Sequence, residues 1–411
     1  MRPRALRPTL VAAVAAAAMT GCATSEPWRG YDASPVAVTP VDPARPVGAP
    51  AAAAAGWQSR VTAMGRSLPP LPRTALHLPA VSPDHRWIAF VTPRDEVAAS
   101  SDEAAVTGRG LDGFELRIRE LDAEGDGRVI THAACWPSWS ADGDRLVFIT
   151  YDARDRCYLG LHDPAAGTTR LKAVGLRRMM MPRFSPAGDA VAVSAYREAP
   201  ARSAIFTIDL DHDRAVPGPP ATGRAQVLPR WIGPDALAFI ELGDADAPAT
   251  LRGYRLGDDD AVQLAELFPI PSVFDGQHVL AGVADAVTDD AGAYAAFDVA
   301  RGRLVLIDLE TGRRLPLPRG TVAGSWFGRG WFVAAGDRDL RLLQAPPAST
   351  ADAAEAGAGV RLFDGRWAPL RADADRRSLV LLGTDPGSGR FKLVQLWLIV
   401  EGHPGPSAAA P

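Results

Sequence analysis

The chain contains almost no lysine and carries no excess of positive charge. Its 44 basic residues are arginines except for Lys172 and Lys392, and its 48 acidic residues give a formal net charge of −4. Nucleic-acid binding needs a basic surface, so this charge argues against a nucleic-acid partner. Hydrophobic residues make up 47% of the sequence, which is enough to build a sizeable core.

The sequence also lacks the motifs of several enzyme classes. It has no Gly-x-Ser-x-Gly elbow, Walker loop or dinucleotide fingerprint. A segment that begins like a calcium loop, Asp209 to Asp213, fails because Arg214 stands where glycine is needed and Pro220 where the closing glutamate belongs. No pair of histidines has metal-ligand spacing: His77, His85, His132, His162, His212, His278 and His403 are scattered. These patterns indicate no catalytic residue, no cofactor and no metal ligand.

The first 22 residues have the layout of a secretory signal. Arg2, Arg4 and Arg7 precede a short apolar run at residues 10–18, which is too short to span a bilayer. Small residues then lead directly to Cys22. This arrangement resembles the lipobox of bacterial lipoproteins, and the resemblance implies that residues 1–21 are removed and that Cys22 is acylated, for example with palmitate.

The residue after Cys22 indicates which membrane carries the lipid anchor. Enteric lipoproteins with Asp at that position stay in the inner membrane, so Ala23 implies a periplasmic protein anchored in the outer membrane. An inner-membrane anchor is one alternative, and an ordinary signal peptide cleaved near Ala23 is another. Residues 22–72 are rich in proline and alanine and are predicted to form a disordered tether, and residues 402–411 a disordered tail.

Between residues 73 and 401, short apolar runs alternate with turn residues, which predicts an all-β fold. One motif recurs four times, with a proline, an aromatic or apolar residue two positions later, and then a turn. The turns are spaced by 58, 45 and 47 residues, from Ser82 to Ser140, Ser185 and Ile232. Repeats of this length are typical of propeller blades.

A second hairpin follows the motif in several repeats, so each repeat is predicted to form a four-stranded antiparallel blade. The Pro-x-aromatic-Ser-Pro-Asp-Gly pattern resembles that of TolB-like β-propellers, which are similar to WD repeats. We expect seven blades, with six as the alternative. The resemblance implies a monomeric protein-binding or scaffolding module with an unidentified envelope protein as partner. The alternative is a carbohydrate-active lyase or hydrolase with its site at the propeller funnel.

A run of two arginines followed by methionines, which begins at Arg177, suggests where a partner binds. It is predicted to lie on a loop just before an innermost strand, at the rim of the funnel, with two further arginines nearby in equivalent repeat positions. Methionine surfaces adapt to partners and arginines pair with carboxylates, so this set is a candidate site for an acidic or amphipathic peptide. The alternative is packing between blades, with the arginines paired to local acids. The candidate residues are Arg177, Arg178, Met179, Met180, Arg183 and Arg230.

Two cysteines remain after Cys22, namely Cys135 and Cys157. They are either bridged, as an oxidising periplasm permits, or two small buried thiols. Their predicted strands are the first and third of one blade, two spacings of about 4.8 Å apart. That separation exceeds the roughly 7 Å limit for a disulfide unless the intervening loop folds inward. Both alternatives stay open from the sequence.

Overall fold

A computed structural model shows a chain built from consecutive antiparallel β-sheets. It describes residues 61–72, 79–94 and 113–269, with gaps at 153, 155, 197–201, 221 and 244–246, and strands with some adjoining residues between 293 and 400. The described residues form seven sheets, of which six have four strands and one has three. The predicted all-β propeller of four-stranded blades is therefore confirmed.

The first strand is β1 (Val61–Leu71). The blades follow, with their strands given from the innermost outward. Blade 1 consists of β2 (Ala80–Val81), β3 (Trp87–Pro93), β4 (Phe114–Glu120) and β5 (Arg128–His132). Blade 2 consists of β6 (Ala134–Trp139), β7 (Leu146–Tyr151), β8 (Cys157–Asp163) and β9 (Thr168–Lys172). Blades 3 and 4 are β10 (Arg177–Phe184), β11 (Ala190–Tyr196), β12 (Ala204–Asp209), β13 (Arg214–Pro217); β14 (Gln226–Trp231), β15 (Ala236–Glu241), β16 (Pro248–Arg255), β17 (Val262–Pro269).

Blades 5 to 7 complete the chain. Blade 5 consists of β18 (Ala293–Asp298), β19 (Arg303–Asp308) and β20 (Arg314–Leu315). Blade 6 consists of β21 (Ala323–Trp326), β22 (Trp331–Ala335), β23 (Asp339–Gln344) and β24 (Val360–Asp364). Blade 7 contains β25 (Trp367–Asp373), β26 (Ser378–Thr384) and β27 (Phe391–Val400). The innermost strands contact one another from blade to blade: β2 touches β25 and β6, β10 touches β6 and β14, and β21 touches β25. This order of contacts places blade 7 next to blade 1.

The N-terminal strand completes the last blade. β1 pairs antiparallel with β27, from Val61 opposite Val400 to Leu71 opposite Phe391, and becomes the outermost strand of blade 7. The predicted disordered tether is therefore wrong for residues 61–71. Sequence reasoning missed this strand because Pro69 and Pro70 look like a break, whereas an edge strand tolerates proline. Residues 1–60, with Cys22, and residues 402–411 lie outside the described part of the chain.

The repeated motif forms the same turn in blades 1, 2 and 3. A buried serine accepts a hydrogen bond on its Oγ from the backbone N–H five residues later, at 2.9–3.1 Å. The residue three positions after the serine donates its N–H to the serine carbonyl and has positive φ, between 55° and 82°. The serines are Ser82, Ser140 and Ser185, and the positive-φ residues are His85, Gly143 and Gly188.

The aromatic residue of the motif joins neighbouring blades. The Trp139 indole N–H in blade 2 donates to the Ala80 carbonyl in blade 1 at 2.8 Å, and Trp231 in blade 4 donates to Arg183 in blade 3 at 3.1 Å. In blade 3 the aromatic is Phe184, and the Arg145 guanidinium from blade 2 stacks over its ring. Among the residues whose burial is described, the hydrophobic core lies between neighbouring sheets. Among the described residues, no helix is long and apolar enough to cross a membrane.

Candidate functional site: the upper face of blades 2 and 3

The innermost strands β2, β6, β10 and β14 are neighbours and all begin at one end of the ring, which we call the upper face. The serine turns lie at the opposite, lower face. Three of these strands contain a β-bulge directly before the motif proline, where the register with the second strand shifts. The bulged residues have unusual positive φ values of 57°, 55° and 56°: Trp136, Met181 and Leu228.

The run of two arginines and three methionines lies within β10, so the predicted loop position is wrong. Arg177 and Arg178 are exposed at the upper face. Met179 and Met180 are 0% and 4% exposed, so they pack between blades and present no surface. The methionines therefore pack between blades, as the alternative interpretation of the run states. Only arginines remain from the predicted arginine–methionine surface.

The other two predicted residues lie deeper. Arg183 and Arg230 occupy equivalent positions, opposite Ala192 and Ala238 in the second strands of blades 3 and 4. Arg183 is half-buried, and Arg230 is 6% exposed. Both follow a bulge and lie further from the upper face than Arg177 and Arg178. The structure thus separates the predicted arginines into an exposed pair, Arg177 and Arg178, and a deeper pair, of which Arg183 is half-buried and Arg230 is buried.

Arg178 has a strained backbone with a φ of 47°. A left-handed conformation in a residue other than glycine costs about 1–3 kcal/mol and persists only where the surroundings enforce it. The pairing of β10 with β11 shifts register between Arg177 and Met180, so Arg178 and Met179 stand outside the regular ladder. The equivalent Ala133 in blade 2 has a φ of 52°, which shows that the repeat builds this feature more than once.

Side chains of blade 2 hold the irregular segment. The Met179 N–H donates to Cys157 Sγ at 3.4 Å, and the Tyr151 hydroxyl donates to the Met179 carbonyl at 3.4 Å. These contacts hold the Met179 backbone where it stands outside the regular pairing of β10 with β11. Burial, together with the neighbouring cysteines, raises the pKa of Tyr151, and the nearby Arg178 acts in the opposite direction. The phenol therefore stays protonated and keeps its hydrogen to donate.

Cys135 and Cys157 are both free thiols. β7 lies between their strands, and Cys135 pairs with Ile149 while Cys157 pairs with Tyr151. This spacing agrees with the geometric argument against a bridge. Burial raises the pKa of Cys135 well above its ordinary value and raises that of Cys157 to about 11. Neither thiol is a reactive thiolate at neutral pH.

A short loop after β7 adds further charge to the upper face. Arg154 is exposed, and Asp152 accepts hydrogen bonds from the backbone N–H groups of Arg154 and Arg156. Arg156 also forms an ion pair with Asp152 at 2.6 Å. Burial raises the pKa of Asp152, but these hydrogen bonds outweigh it and lower the pKa to about 2. The carboxylate is thus ionised and already occupied by Arg156.

Sequence reasoning missed Tyr151 and Arg154, and it named Cys157 only as a possible disulfide partner of Cys135. Tyr151 and Cys157 belong to the adjacent repeat, and only the register shift in β10 gives them a role. When the repeats are aligned on their motif, Arg178 matches Ala133, so the alignment marks the irregular position. It does not indicate which side chains hold that position. Within the residues that the structure describes, no group of three or more His, Cys, Asp or Glu side chains is arranged to hold a metal ion.

The fold is similar to several solved structures. The putative TolB from Agrobacterium tumefaciens matches with a TM-score of 0.38 and 16% identity, over 51% of this chain and 72% of that one. TolB from Acinetobacter baumannii matches with a TM-score of 0.43 and 15% identity, over 76% of this chain and 66% of that one. The β-propeller domain of the trilobed protease from Pyrococcus furiosus matches with a TM-score of 0.49 and 10% identity, over 84% of this chain and 98% of that one.

The fold is a β-propeller of antiparallel blades. TolB proteins are among the solved structures to which it is similar, as the sequence resemblance led us to expect. At 10–16% identity, the likeness concerns the fold alone. No protein-family model matches the sequence, and no curated protein matches it.

Proposed function

We propose that the chain is a periplasmic lipoprotein, anchored in the outer membrane through Cys22, whose propeller binds a partner protein. TolB-like propeller folds suggest a protein-binding module. One observation of this chain carries the proposal furthest: the upper face of blade 3 presents two adjacent arginines, Arg177 and Arg178, while the apolar residues of the same run are buried. A rigid scaffold that exposes charge at the end of a strand can dock a partner with little loss of conformational entropy.

The lipid anchor is supported by the residues that precede Cys22, and mass spectrometry of the mature N-terminus tests it. We expect Cys22 as the first residue, carrying acyl chains, and retention of the protein in the outer-membrane fraction. A single acyl chain gives only marginal membrane binding, so stable anchoring needs more than one. A mature chain that begins beyond residue 22 without acylation would rule out the anchor.

Site-directed photo-crosslinking in native envelopes tests the partner. Ala173 is exposed just before β10 at the upper face, and Ala165 is exposed in the turn between β8 and β9 at the lower face. A photo-crosslinking residue at Ala173 should capture a discrete protein, and one at Ala165 should not. These positions form a matched pair, because each is an alanine in a loop adjoining β9. Equal capture at both positions, or none at either, would contradict binding at the upper face.

A further inference from the structure

We propose that Arg177 and Arg178 form a binding site for the carboxylates of an acidic peptide segment, and that Tyr151 and Cys157 are its positioning residues. The inference rests on the proposed protein-binding function and adds the chemistry of the partner. Arginine suits this role because its planar guanidinium bonds a carboxylate through two parallel N–H groups.

The first support is the backbone at the site. Arg178 is held in a left-handed conformation at the point where β10 leaves its regular pairing with β11. A straight strand would point successive side chains to opposite faces, so Arg177 and Arg178 would diverge. The backbone at Arg178 departs from a straight strand, and both arginines are exposed at the same end of β10.

The second support is that a neighbouring blade fixes this backbone. Cys157 and Tyr151 satisfy the N–H and the carbonyl of Met179, the residue next to Arg178. The Met179 side chain is fully buried in the core shared by blades 2 and 3, which anchors the segment from below. Preorganisation of this kind lowers the entropy lost when a ligand binds.

The third support is the charge of the surroundings. Within the described residues, neither Arg177 nor Arg178 forms an ion pair, and Asp152, a described carboxylate of the loop after β7, is paired with Arg156. Arg154 on the same loop is exposed. These arginines make a local positive field on a chain whose net charge is −4.

A labelled peptide tests the site directly. The full mature chain carrying Cys22→Ser should bind fluorescein-labelled hexaglutamate, measured by fluorescence anisotropy, and should not bind labelled hexaglutamine. The double variant Arg177→Gln/Arg178→Gln should lose at least about tenfold in affinity. It should also show a flatter dependence of affinity on NaCl concentration, because two charges are gone. Arg214→Gln, which removes an exposed arginine of β13, is the matched control and should bind as the unmodified chain does.

The positioning residues have a test that separates them from general stability. Cys157→Ala removes the sulfur acceptor and should weaken peptide binding about threefold or more. Cys157→Ser keeps an acceptor and should restore most of the affinity. Tyr151→Phe should behave like Cys157→Ala. All three keep both arginines, so the salt dependence should stay that of the unmodified chain even where affinity falls.

Several results would overturn the inference. Unchanged hexaglutamate binding in the double arginine variant would place the anion site elsewhere. Equal affinities for Cys157→Ala and Cys157→Ser would remove the positioning role. Arginine-dependent binding to phosphatidylglycerol vesicles without peptide binding would identify a lipid surface as the ligand. Crosslinking from Ala173 reports on protein binding independently, so its persistence alongside a failed peptide test would reject the acidic ligand and keep the proposed function.

Discussion

Arg119 in blade 1 donates a hydrogen bond from Nη2 to the carbonyl oxygen of Pro69, in the strand that completes blade 7, at 2.5 Å. Arg119 is 4% exposed and also donates to the Gly125 carbonyl at 2.8 Å. A second contact lies nearby, where the Ser378 hydroxyl of blade 7 lies 2.8 Å from His85 Nδ1 of blade 1. The first and last blades are therefore joined by buried polar contacts as well as by their shared hydrophobic core.

This closure predicts that the propeller depends on β1. A chain that begins at Arg73 loses Leu68 and Leu71, which are 6% and 0% exposed, and burying each leucine stabilises by about 1.5–3 kcal/mol. We expect its melting temperature to fall by roughly 5–10 °C relative to a chain that begins at Gly56, measured by calorimetry. The longer chain should melt like the full mature protein. Equal melting of the two truncated chains would show that β1 contributes no stability.

Stability should fall in mild acid because of His162, at the boundary of blades 1 and 2. Arg128 Nη2 lies 3.2 Å from Nε2 and can only donate, so Nδ1 carries the proton and donates to Thr169 Oγ1 at 2.9 Å. Burial, and then the Arg128 charge, lower the pKa of His162 to about 4. Between about pH 6.5 and pH 4, the unfolded chain therefore binds a proton at His162 that the folded chain does not bind. The contribution of His162 is complete above pH 6.5 and is lost as the pH falls toward 4, by up to about 3 kcal/mol.

Denaturant titrations at pH 7 and pH 4.5 measure this effect. His162→Gln removes the titrating group, so the stability difference between the two pH values should shrink. An unaltered pH dependence in His162→Gln would contradict the assignment.

Gly160 has no room for a side chain. It lies opposite Phe148 in the β7–β8 pair, and a Cβ atom at this position would overlap the fully buried phenyl ring. Overpacking of this kind costs about 1–3 kcal/mol, so Gly160→Ala should unfold at lower urea concentration. At Gly233 the nearest atom to an added Cβ is 3.7 Å away, and Gly233→Ala should change stability by less than about 0.5 kcal/mol.

The thiols should be free and slow to react. The denatured, unreduced mature chain with Cys22→Ser should give two thiols per molecule on titration with Ellman's reagent. In the native state at pH 8 both should react slowly, because burial raises the pKa of Cys157 to about 11 and that of Cys135 well above its ordinary value. A count of zero in the denatured chain would mean that Cys135 and Cys157 are bridged.

The sequence by itself determined the class of fold and the unit from which it is built. The spacing of Ser82, Ser140 and Ser185 marks one turn per blade, because a buried serine and a positive-φ residue three positions later are local requirements of that turn. The motif also marked the positions of the aromatic residues, and Trp139 and Trp231 join neighbouring blades from these positions through their indole N–H groups.

Tertiary structure decided which residues stand at the surface and how the ring closes. The pairing of β1 with β27 joins residues more than 300 positions apart, and no local pattern encodes such a partner. The burial of Met179 and the exposure of Arg178 depend on a register shift in β10 and on hydrogen bonds from Tyr151 and Cys157. A strand's own sequence fixes its propensity, whereas its register and the face it presents follow from the neighbouring blades that bury it.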